Sequence, residues 1–117
     1  MVYEGIAGLQ NISKISRFSQ FENLEDLAKH FNGQTLETAS DDLLNAGWNK
    51  VGKDFKSKTV FEKQLGKDKF YAIWEPSNLE HTADGKPASY WKITRGRISG
   101  SKGNVIRIGS SSNFIDK

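Results

Sequence analysis

Between His81 and Arg97 the chain reads HTADGKPASYWKITRGR, bringing one histidine, four hydroxyl side chains and several cations close together in sequence. These residue types suit cleavage of an RNA phosphodiester. RNA carries its own nucleophile, the 2′-hydroxyl. An enzyme must supply a base for that proton, an acid for the leaving oxygen and cations for the charge that builds on phosphorus. A histidine titrates near neutrality and can fill either proton role, which makes His81 the first candidate. Lys86, Lys92, Arg95 and Arg97 can neutralise phosphate, the arginines bidentately. Ser89, Tyr90 and Thr94 can hydrogen-bond a phosphate oxygen, and Tyr90 or Trp91 can stack on a base.

Other chemistries lack their residues. The chain has no cysteine and only two histidines, so no zinc-ligand spacing is present. Neither the nucleophile elbow G-x-S-x-G nor the phosphate loop G-x-x-x-x-G-K-[ST] occurs. Glu62 and Glu75 lie on neighbouring predicted strands but lack the usual spacing to a lysine for a metal nuclease. The expected chemistry therefore uses no metal and no cofactor.

The elements that must position these residues follow from periodicity. Ser89–Arg95 alternates as a strand, with Ser89, Trp91 and Ile93 on the packing side and Tyr90, Lys92 and Thr94 on the other. The loop 77–88 before it carries His81 and Lys86, and Arg107 joins the second side if strand 104–108 pairs in register. Two further strands are expected at Thr59–Gln64 and Lys69–Glu75, with Pro76 ending the latter. Upstream, Ile6, Leu9, Ile12 and Ile15 suggest a short helix within 5–17. Leu24, Leu27, Ala28 and Phe31 define a second, capped by Asn23 and ended by Gly33. A third is expected to start at the cap Ser40 and stop at Gly47.

At 117 residues the chain reads as a single domain, 1–117, with a helical part at about 1–47 and a sheet part at about 58–110. The expected fold class is α+β: N-terminal helices packed on one face of a twisted antiparallel sheet of about four strands, leaving the other face to solvent. Apolar runs are too short to span a membrane, and the first residues lack the basic-then-apolar order of a signal peptide. The net charge of +3 is unevenly spread. Residues 20–47 hold six acids against Lys29, whereas 85–115 hold six cations and no acid. That polarity points to an anionic partner, nucleic acid first. The residues leave two other readings open: a nucleic-acid-binding module without catalysis, and a protein-interaction domain of adaptor or immunity type.

From LLNAGW through VFEKQLGKDKFYAIWEPSN to HTADGKPASYWKITRGR and VIRIG, the chain resembles the C-terminal toxin domains of bacterial contact-dependent inhibition and polymorphic toxin systems. The resemblance covers about 43–109 and extends to the barnase, EndoU, colicin and RelE superfamily of metal-independent ribonucleases. It implies a ribonuclease toxin acting on tRNA, with His81 matching the loop histidine and Lys92 the strand lysine. Its loop reads H-T-A-D-G-K-P where relatives often have His-Gly directly. It further implies a secreted effector delivered into the cytoplasm of target bacteria, and an acidic cognate immunity protein covering the basic surface.

Overall fold

The computed structural model describes residues 18–19, 21–55, 58–79, 81–110 and 112–115. The helix expected within 5–17 lies outside them. Helix α1 spans Leu24–Lys29, and the Asn23 side chain caps it by accepting from the Asp26 N–H at 2.8 Å, as its sequence predicts. Helix α2 spans Leu36–Asn45 and starts earlier than the expected Ser40. Thr35 is its true cap. The Thr35 and Thr38 side chains each accept from the other's backbone N–H, closing a reciprocal capping box. Gly47, at φ +91°, ends α2 with the Gly47 N–H bonded to Leu44 and the Trp48 N–H to Leu43, a Schellman arrangement.

Five strands follow, not about four: β1 Asn49–Phe55, β2 Lys58–Leu65, β3 Asp68–Asn78, β4 Ala88–Arg95 and β5 Val105–Gly109. They form one antiparallel sheet whose spatial order equals the chain order. The unexpected strand is β1, whose NKVGKDF sequence has no apolar alternation and includes a glycine. Lysines at a sheet edge are common protection against stray pairing. Strand β3 also runs past Pro76 instead of ending there. Proline has no N–H to give the ladder, and the β3–β4 register shifts between Glu75 and Asn78.

The two helices cover one face of the sheet. Phe61, Phe70, Ala72, Trp91 and Ile93 from that face join Leu24, Leu27, Ala28, Phe31, Ala39 and Leu43 in one buried cluster. Trp91 sits at its centre, fully buried, with ring centroids 4.9 Å from Phe31 and 5.1 Å from Trp74. A buried indole N–H needs an acceptor. Trp91 Nε1 donates to the Gln34 carbonyl at 3.0 Å and Trp48 Nε1 to the Phe18 carbonyl at 2.8 Å, so both indoles tie the sheet side to the helical segment. The packing role expected for Trp91 and Ile93 is what the structure has. Its consequence is to leave the opposite side of β4 to Tyr90, Lys92 and Thr94.

Candidate active site

Registers across β2 to β5 build the second face in rows perpendicular to the strands. The middle row is Val60, Ile73, Lys92 and Arg107; on one side of it lie Glu62, Tyr71, Thr94 and Val105. On the other side Glu75, Tyr90 and Gly109 are successive partners, and Lys58 stands one position beyond the Thr59–Trp74 pair, opposite Glu75. Glu75 is a buried carboxylate, and Lys58 holds it with Nζ 2.7 Å from Oε1 and 3.0 Å from Oε2. A buried charge is tolerated only when paired in this way. Sequence reading did not assign this pair to the site. The two-residue turn Gly66-Lys67 was its signal, because a tight turn fixes the register back along both strands.

His81 lies over this row. Its ring meets Tyr90 edge-on at 5.2 Å between centroids, and Phe114 stands 5.1 Å from Tyr90 and 6.0 Å from His81. The loop that carries His81 is held by residues 113–115. Ala83 N donates to the Asn113 carbonyl at 2.8 Å, Ile115 N to the His81 carbonyl at 3.0 Å, and Thr82 bridges Phe114. Asn113 Nδ2 reaches Asp84 Oδ1 at 3.1 Å and the Lys86 carbonyl at 2.9 Å. Hydrogen bonds from Asn113 and then the Lys86 backbone hold the Asp84 carboxyl below its ordinary value of 3.8. Phe114 fits because Gly109 has no side chain; a β-carbon there would stand 2.5 Å from the ring. His81 Nδ1 is buried and has no hydrogen-bond partner among the described residues.

Beside this cluster, Lys92 and Arg107 face each other across β4 and β5, both half-buried. Four predicted residues thus share one region: His81, Tyr90, Lys92 and Arg107. The others separate from them. Thr94 and Tyr90 were expected to face solvent, and both are buried. Tyr90 lies under His81 and Phe114. Thr94 lies under the β4–β5 loop, where a β-carbon on Gly100 would stand 3.1 Å from Val105 and 3.4 Å from Thr94. The Thr94 hydroxyl has no partner among the described residues. Ser89 points to the helix side and shares a 2.7 Å hydrogen bond with Ser110. Lys86 is exposed in the His81 loop. Arg95 sits at the far end of β4, where its Nε and Nη2 donate to Asn104 Oδ1 at 2.9 and 2.7 Å, with Arg97 in the turn beyond.

The arrangement offers a proton-transfer group, His81, next to two cations, with a neutralised carboxylate beneath. Among the described residues no three His, Cys, Asp or Glu side chains gather as metal ligands, and no helix is long and apolar enough to cross a membrane. No family model, curated protein or solved structure matches this chain.

Proposed function

We propose that this protein is a ribonuclease toxin domain that cleaves RNA, tRNA first, through its own 2′-hydroxyl. What carries the reading is the position of His81 over Tyr90, one row from the Lys92–Arg107 pair on the same sheet face. In the reaction the 2′-oxygen bonds to phosphorus and its proton passes to a base. The P–O5′ bond breaks, and the departing oxygen takes up a proton. His81 is the group for one of these transfers. Lys92 and Arg107 stabilise the negative charge on the non-bridging oxygens, where fixed cations act most strongly. Tyr90 supports the imidazole from below. No step calls on a metal. The resemblance to contact-dependent toxin domains supports delivery by a secreted effector into the cytoplasm of target bacteria. The cation-rich 85–115 segment supports an acidic immunity protein as the natural inhibitor.

Total tRNA incubated with the purified protein in EDTA tests the proposal. Cleavage is expected, with His81→Ala lowering the rate by about 10²–10⁴ and Lys92→Ala by roughly 10²–10³. Wild-type rates in both variants would remove the assigned site. RNA binding without cleavage would favour a non-catalytic RNA-binding module instead.

A further inference from the structure

The cations do not form one patch, and the separated group has a shape of its own. At the turn end of the sheet, Asp68, Arg95, Gly96, Arg97, Ser101 and Asn104 line an open polar depression. We propose that this depression is a second phosphodiester subsite, holding the RNA backbone away from the bond that is cut. The inference rests on the RNA reading above and adds a length requirement to the substrate.

Several observations support it. Arg95 is half-buried, and its guanidinium is fixed along one edge by Asn104, whose amide in turn donates to Ser101 Oγ at 3.3 Å. Nη1 has no protein partner among the described residues. A guanidinium held in this way loses little side-chain entropy on meeting a ligand. Arg97 adds a second, exposed cation, and the exposed Lys67 and Lys102 stand in the adjoining turns. Asp68 is the only acid in the lining, against two arginines, so the depression is net positive. A net positive depression with a fixed guanidinium suits a backbone phosphate.

The spacing sets the substrate. Tyr90, under His81, and Arg95 are five positions apart on β4, or about 17 Å at ~3.4 Å per residue, and their parity sends them to opposite faces, so a strand that meets both passes round the turn end of the sheet. At one charge per ~3.4 Å of stacked strand, that path is at least about five phosphates long. A dinucleotide is too short to meet both sites, whereas an octanucleotide exceeds that minimum.

The experiment uses an octanucleotide RNA and a dinucleotide as cleavage substrates, with a 2′-O-methyl octanucleotide for binding because it has no 2′-hydroxyl to react. Arg97→Ala and Arg95→Lys are compared with wild type. The octamer-to-dinucleotide ratio of kcat/KM is expected to fall about tenfold in each, the size of one lost charge-assisted contact. The salt slope of 2′-O-methyl octamer binding should drop by about 0.7 in Arg97→Ala. An unchanged ratio and slope, with wild type still cleaving, would overturn the subsite and leave the ribonuclease reading intact. Equal losses on both substrates would assign the arginines to the cleavage site and also overturn it. If wild type neither binds nor cleaves either RNA, both inferences fall.

Discussion

Gly109 shows how much one missing side chain can organise. Phe114 occupies the space that a β-carbon at Gly109 would fill, and from there its ring packs on Tyr90 and approaches His81. Gly109→Ala is therefore expected to cost about 1–3 kcal/mol, as forced overpacking does. Its more telling effect is local: the imidazole resonances of His81 should shift and broaden in NMR spectra as Phe114 is displaced. Unchanged His81 signals would show that the ring is held without Phe114. None of this is legible in the sequence, where Gly109 reads as the end of a strand. Burial of Tyr90 and Thr94 was equally hidden. Alternation correctly assigns both to the second face, but it cannot reveal that a loop and a C-terminal segment fold over that face.

Among the elements, the His81 loop and segment 113–115 are bound by backbone and side-chain hydrogen bonds, with Asn113 at the centre. Asp84 is the titrating reporter of that clasp. Its pKa is lowered in the folded protein, so the clasp's contribution is full above the ordinary value of 3.8 and is lost as pH falls through the lowered one. In Asn113→Ala the Asp84 carboxyl should titrate closer to 3.8, read by NMR across the acid range. No upward movement would mean that Asn113 is not what lowers it. Element reading from sequence succeeds where a pattern is local. The Asn23 cap, the α1 face and strands β2 to β5 were all visible in spacing. It fails where signals compete: Ser40-Asp-Asp looked like a helix start, yet Thr35 and Thr38 form the box that begins α2. Charged, glycine-bearing β1 has no apolar rhythm to read, and its strand state comes from pairing with β2.

For the whole molecule, charge separation in the chain becomes separation in space. Glu25, Glu37 and Asp41 are exposed on the helices that cover one sheet face, whereas Lys92 and Arg107 stand on the other. Such polarity orients an approaching polyanion and is weakened by salt. Binding of the 2′-O-methyl octanucleotide should therefore weaken steeply between 50 and 200 mM salt, with a log–log slope of roughly 0.7 per phosphate engaged. Affinity independent of salt would rule out phosphate contacts as the basis of binding. Charge along the sequence gives the polarity but not its division into the His81 region and a separate arginine depression. That division depends on residue parity along β4, which sends Arg95 and Lys92 to opposite faces.

The plain strand order carries a consequence for how the chain reaches its final state. Each strand pairs only with its neighbours in sequence, so the hairpins can zip locally and quickly as they emerge. The helical layer cannot finish on its own. Gly33 N donates to the Gly109 carbonyl, and the Trp91 indole donates to Gln34 across 57 positions of chain. Those links need β4 and β5, the last two strands to leave the ribosome. The final docking of the helical layer therefore waits on strands that follow it in the chain.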